Sequence, residues 1–243
     1  MATVSQPASP PAAPAGGAGE VATGSSSRQR ARSFVERNHF WLRRIHSLTG
    51  VVPVGGFLVY HFWENATALQ APDRWDEMAT HARNIQLVLF IEFGLILLPL
   101  LYHAAYGLFI ASYTRINVAA YSYARNRLFM WQRVTGIILV LYIIYHVMVL
   151  RFGIFANGAA TYDIMAVHLR NPLVFAFYTA GILSAAYHFG NGLWTFLITW
   201  GITVGRRSQR VSQWVSTGIA VALSLLGMAI ILTIVGSRGW FTF

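Results

Sequence analysis

The sequence predicts an all-α membrane protein with five transmembrane helices, the first four forming a four-helix bundle built from two parallel repeats. Three observations carry this. Only 11% of the 243 residues are charged and 56% are hydrophobic, against roughly 25% charged in a soluble domain. The apolar residues gather in stretches long enough to cross a bilayer. Residues of the first two stretches recur, 85 or 86 positions later, in the third and fourth.

The elements follow in order. Residues 1–27 are mainly Ala, Pro, Gly, Ser and Thr. Such a segment buries too little apolar surface to offset its ordering entropy, so a mobile tail is expected over 1–32. It lacks the apolar core of a signal peptide. A basic stretch over 28–44 reads as an interfacial helix. The five-helix domain, 33–243, holds spans at about 45–66, 85–113, 128–150, 172–204 and 215–235. Each reaches the ~20 residues that cross ~30 Å of hydrocarbon. The fourth exceeds it and is expected to tilt or project. Trp41, Trp63, Trp131, Trp200, Trp214 and Trp240 fall near span ends, where aromatic belts form.

The formal charge is +10, and every basic residue is an arginine. The arginines cluster between apolar spans, which is a topology signal and excludes a nucleic-acid partner. One side carries Arg28, Arg30, Arg32, Arg37, Arg43 and Arg44, then Arg115, Arg125 and Arg127, then Arg206, Arg207 and Arg210. The other carries Arg74, Arg83, Arg151, Arg170 and Arg238, diluted by Asp73, Asp76, Glu77 and Asp163. The N-terminus is therefore expected in the cytoplasm and the C-terminus outside. Without cysteine, the chain forms no disulfide, Cys-ligated zinc site or Cys-ligated iron–sulfur cluster of its own.

Four histidines lie inside spans, one in each of the first four. His61 and His146 are 85 residues apart, as are His103 and His188. Tyr60 and Tyr145, Tyr102 and Tyr187, and Gly107 and Gly192 keep the same spacing. Thr49-Gly50 and Thr135-Gly136 are 86 apart. Two spans separate the copies, so both run in the same direction. At ~1.5 Å per residue, His61 and His146 lie about 8 Å from the outer ends of their spans. His103 and His188 lie about 25–27 Å inward from the outer ends of theirs. The histidines thus form an outer pair, His61 with His146, and an inner pair, His103 with His188.

Facing helices that place His at equal depth suit bis-imidazole ligation of haem. The bundle is therefore read as haem-binding, with two b haems. A lone intramembrane His is often only a hydrogen-bonded packing residue. Four of them, paired by depth and by repeat, are hard to explain that way. Gly107 and Gly192 lie one turn past their histidines on the same face, where a missing side chain admits a flat macrocycle. Gly50, Gly55, Gly56 and Gly136 offer the same, although small residues at membrane helix contacts are common.

Several runs resemble the dihaem cytochrome b subunits of the succinate:quinone oxidoreductase family, which includes fumarate reductases. They are RRIHSLTGVVPVGGF at 43–57, LPLLYHAAYG at 98–107, QRVTGI at 132–137, YHFGNGLW at 187–194, and TWGITV with RSQR within 199–210. The resemblance covers about 37–235 and is nearest the five-helix, single-subunit anchors of respiratory complex II. It implies a multi-pass subunit in the cytoplasmic membrane of a prokaryote. It implies a flavoprotein partner that oxidises succinate and an iron–sulfur partner docked on the cytoplasmic face. Electrons would pass through the inner and then the outer haem to a membrane quinone, with menaquinone favoured. Some dihaem fumarate reductases of this family carry a glutamate two residues before the fourth-span His, linked to proton movement. Ala186 stands there in this chain, which puts a compensating proton path in doubt.

Other polar residues are candidates of two kinds. Glu92, about 10 Å inward from Ile85, is an intramembrane acid and so a functional candidate. It either relays protons at a quinone or haem, or is a protonated acid bonded to a neighbouring helix. Glu64, three residues after His61, is a second quinone or proton candidate, or a solvated helix end. Arg44, His46, Ser47 and Arg133 lie at the inner boundary. There they either donate to haem propionates or meet lipid headgroups and a docked partner. His39, His81 and His168 read as interfacial. Two other functions compete: a dihaem cytochrome b of a hydrogenase or formate dehydrogenase, and a haem-free transporter, since parallel repeats occur there too.

Overall fold

The structure, a computed structural model, describes residues 22–114, 117–153 and 161–237, with side chains from residue 37 onward. Arg115, Arg238 and Trp240, the side chains of Arg28, Arg30 and Arg32, and residues 1–21 of the expected tail lie outside the described residues. Helix begins at Ala22, within the stretch expected to be mobile. The chain divides into two units, Met1–Leu42 and Arg43–Phe243. In the first, the Phe40 and Trp41 rings meet edge-on at 5.5 Å. Every contact below lies within the second.

Five helical stretches are long and apolar enough to cross a membrane: Arg37–Leu69, Val88–Tyr113, Ala124–Leu150, Pro172–Thr199 and Arg206–Gly236. They are spans 1 to 5 below. The described residues contain no strand. The ends differ from the sequence expectation for local reasons. Span 1 breaks at Val52, where Pro53 supplies no amide proton and opens a new helix, Pro53–Asn65. Span 2 starts as helix at Val88, widens to a π-helix over Ile91–Leu97, and resumes α-helix at Leu98. Pro99 would clash with the carbonyl of the preceding turn, and the wider turn relieves that clash. Span 4 stops at Thr199 rather than near 204. Gly201 adopts φ +71°, its N–H bonds the Ile198 carbonyl at 3.1 Å, and Ile202 N–H bonds Leu197 at 2.9 Å. This double bond closes the helix and favours glycine at that position.

Span 5 packs along span 4. Small residues set the approach: a Cβ on Gly190 would sit 2.7 Å from both the Ser216 carbonyl and Ala220 Cβ. Gly227 likewise receives the Ile182 and Phe62 side chains. Close backbone approach of this kind gains dispersion energy where lipid offers no hydrophobic drive. At the arginine-rich end, Trp194 Nε1 donates to the Gln209 carbonyl at 3.0 Å and Arg125 donates to Gln209 Oε1 at 3.2 Å. The Arg125 guanidinium lies 5.7 Å from the Trp194 ring centre. Spans 3, 4 and 5 are thereby tied together.

The other end, predicted to be outer, is roofed by two short helices that sequence reading did not find. Pro72–Arg83 follows span 1 and Tyr162–Leu169 follows span 3. Asp76 Oδ1 accepts from the Tyr162 amide at 2.8 Å, and the Trp75 and Tyr162 rings meet edge-on at 6.2 Å. Met165, Ala166 and Leu169 of the second short helix are buried in one cluster with Ile231, Ile234 and Val235 of span 5.

Candidate functional site

The four intramembrane histidines meet in two pairs. The His61 and His146 ring centres are 5.8 Å apart with planes at 82°. Those of His103 and His188 are 6.0 Å apart, also at 82°. Each pair joins a span of the first half to its counterpart in the second: span 1 to span 3, and span 2 to span 4.

The partners of these rings recur between the halves. His103 Nδ1 donates to the His46 carbonyl at 2.9 Å, and His188 Nδ1 to the Gln132 carbonyl at 3.1 Å. Those carbonyls are 86 residues apart. Thr49 Oγ1 donates to the Ile45 and His46 carbonyls, and Thr135 Oγ1 to those of Trp131 and Gln132. In the other pair, Phe57 stacks on His61 at 5.4 Å and Tyr142 stacks on His146 at 5.4 Å. Phe57 and Tyr142 are again 85 apart. Gly181 makes room for the Tyr142 ring.

The glycines serve the imidazoles directly. A Cβ on Gly50 would collide with the His103 ring, and one on Gly136 would lie 3.2 Å from His188 Cε1. A Cβ on Gly107 would lie 3.2 Å from His46 Cε1, and one on Gly192 3.5 Å from Gln132 Nε2. Gly55 receives the Phe189 ring, whereas Gly56 faces open space. In this structure the histidines, or residues hydrogen-bonded to them, lie beside Gly50, Gly107, Gly136 and Gly192. His46 also stacks on His103 at 4.1 Å, with 6° between planes.

This arrangement fits a b haem. A carbonyl bound to Nδ1–H fixes the tautomer and leaves Nε2 with a free lone pair. A metal midway between two imidazoles, at bonds of ~2 Å, puts ring centres about 6 Å apart. Among the described residues, no group of three or more His, Cys, Asp or Glu converges as a metal site. A two-imidazole donor set is complete when a porphyrin supplies the other four nitrogens.

The remaining candidates disperse. Arg133 donates to the Thr114 carbonyl at 3.1 Å and lies 4.0 Å from the Phe129 ring centre, while its Nη2 is buried with no partner. His46 Nδ1 is also buried and unpartnered. Arg44 donates to the Thr199 carbonyl at 3.3 Å and lies over Trp200, and Ser47 is half-buried beside His46. Glu64 Oε2 lies 3.6 Å from His61 Nδ1. Glu92 pairs with Arg151 at the end of the neighbouring span. Arg151 Nε lies 3.1 Å from both its oxygens and Arg151 Nη2 lies 2.8 Å from Oε2. That bond holds Arg151 more firmly protonated than usual. Sequence reading missed Gln132, Phe57 and Tyr142. The 86-residue offset from His46 locates Gln132, and Phe57 and Tyr142, each four residues before its histidine, are 85 apart.

A family model described as the succinate dehydrogenase/fumarate reductase transmembrane subunit matches residues 119–227. A succinate dehydrogenase cytochrome b558 subunit of Bacillus subtilis is 43% identical over 196 residues, spanning 81% of this chain and 97% of that protein. With five membrane-spanning helices and four paired histidines already in view, the chain belongs to the succinate dehydrogenase/fumarate reductase transmembrane subunits, as a cytochrome b membrane anchor of complex II.

Proposed function

We propose that this subunit carries electrons between two b haems, from a cytoplasmic iron–sulfur partner to a membrane quinone on the outer side. The observation that supports it is the pair of imidazole couples, each near 6 Å and each bridging the two halves. His103 and His188 would hold the inner haem, and His61 and His146 the outer one. The haem, when bound, supplies one-electron iron chemistry.

The chain's own groups do the rest. The His46 and Gln132 carbonyls hold the inner imidazoles in the ligating tautomer. Arg133 Nη2 and His46 Nδ1 are, with Tyr106 Oη, among the buried polar atoms without partners in the described residues, and a propionate would satisfy such donors. Arg44 and Ser47 sit on the same inner turn. The arginines of the inner face would meet the iron–sulfur subunit, with its flavoprotein, and anionic headgroups. Glu92 with Arg151 lies where the outer ends of spans 2 and 3 meet, and would supply charge and protons to a bound quinone. The subunit therefore acts by electron transfer and quinone reduction, without flavin chemistry of its own.

Quinone reduction at the outer haem gives the second haem a use. An electron moving outward gains about 2.3 kcal/mol per 100 mV if it crosses the full potential. That gain favours a low-potential acceptor such as menaquinone. Optical titration of the purified complex tests the reading: two b haems per anchor support it, and one haem or none refutes it.

A further inference from the structure

The four ligand histidines differ at Nδ1. On His103 and His188 it meets a backbone carbonyl. On His146 it is buried with no partner. On His61 it faces a carboxylate, with Glu64 Oε2 at 3.6 Å across one helical turn. The Glu64 side chain is only 15% exposed, so water does not fully screen it.

Among the described residues, no other group near His61 does the same work. Asn65 Nδ2 lies 3.3 and 3.4 Å from the two ring nitrogens, nearly equidistant and therefore over the ring rather than along an N–H. It is a donor, and it already donates to the His61 carbonyl at 2.8 Å. Asn65 Oδ1 is taken by Trp75 Nε1 at 3.0 Å. An Nδ1–H on a metal-bound His61 therefore has Glu64 as its nearest available acceptor. The counterpart of Glu64 in the second half, 85 residues on, is Val149, which is 1% exposed.

We infer that Glu64 is a positioning residue for His61 that biases the haem on His61 and His146 toward its oxidised state. This rests on the haem assignment above. A carboxylate beside an axial imidazole orients the ring and raises its basicity as a ligand. Its negative charge also favours the form of the iron with the greater positive charge. Because, among the described residues, only one of the four ligands has such a neighbour, the bias falls on the outer haem alone.

The test is potentiometric titration of the intact complex in the parent and in Glu64→Gln, Glu64→Ala and Glu64→Asp. The outer haem is identified as the one lost in His61→Ala. In the Gln and Ala variants its oxidised/reduced ratio at fixed poise should shift about three- to tenfold toward reduced, up to ~59 mV for a one-electron couple. The other haem should not move, and Glu64→Asp should stay near the parent. Unchanged potentials in both the Gln and Ala variants overturn the inference. So does an equal shift in both haems, or loss of the outer haem in both variants. A parent complex in which His61→Ala removes no haem overturns the haem assignment itself, and this inference with it.

Discussion

His103 lies face to face with His46 at 4.1 Å while its Nδ1 donates to the His46 carbonyl at 2.9 Å. Gly50 permits this, since a Cβ there would occupy the space of the His103 ring. Its counterpart Gly136 leaves 3.2 Å to His188 Cε1, which a small adjustment absorbs. Gly50→Ala should therefore displace His103 and remove the inner haem. Gly136→Ala should keep both haems. Haem content per purified complex separates the two, and equal content in both variants would contradict the packing described.

Glu92 and Arg151 form a partly exposed pair, with side chains 30% and 46% accessible. Such pairs contribute up to about 1 kcal/mol, so its loss should barely lower thermal stability. Glu92→Gln should nonetheless slow quinone reduction tenfold or more, ~1.4 kcal/mol of barrier, with both haems retained. Exchanging the two residues would restore the pair but not the rate. Parental turnover in Glu92→Gln would remove Glu92 from the quinone reaction.

His168, on the short helix Tyr162–Leu169, is linked to the Tyr145 hydroxyl at 3.0 Å through Nε2. Burial holds its pKa below the ordinary 6.5. The unfolded chain then binds the proton more readily, so the contribution to stability is complete above about 6.5 and is lost as pH falls toward the folded value. Amide protection in 162–169, taken as exchange relative to the intrinsic rate at each pH, should fall on acidification below about pH 6.5. In His168→Gln that acid dependence should vanish. A protection factor in the parent that does not change with pH would sink the prediction.

Much of the site was legible because a repeat leaves a spacing. Identical residues 85 apart exposed the four histidines and their pairing. The same arithmetic hid Gln132, whose counterpart is His46, because the shared work is done by a backbone carbonyl and does not require the two side chains to match. Phe57 and Tyr142 escaped for a similar reason: both are aromatic but not identical. The Glu92–Arg151 pair joins antiparallel helices 59 residues apart, a contact that no local pattern encodes. A span end failed where backbone chemistry outweighed hydropathy, at Gly201, and the widened turn before Pro99 inside span 2 left no mark in the hydropathy.

The proposed outward electron transfer would couple the reaction to the membrane potential. Succinate oxidation by sealed vesicles, with menaquinone as acceptor, should slow when an uncoupler collapses the potential. Each 100 mV lost removes up to about 2.3 kcal/mol of drive per electron. Artificial acceptors on the cytoplasmic side should be reduced at the same rate throughout. An uncoupler-insensitive quinone rate would place quinone reduction at the inner pair.

The pairing of histidines is the central claim, and haem content in four single variants tests it most directly. Reduced-minus-oxidised spectra of His61→Ala and His146→Ala should lack the same haem. Those of His103→Ala and His188→Ala should lack the other, with one haem left in every variant. Loss of the same haem in His61→Ala and His103→Ala, with the other lost in His146→Ala and His188→Ala, would mean that each haem bridges neighbouring spans. That result would contradict the diagonal pairs on which this account stands.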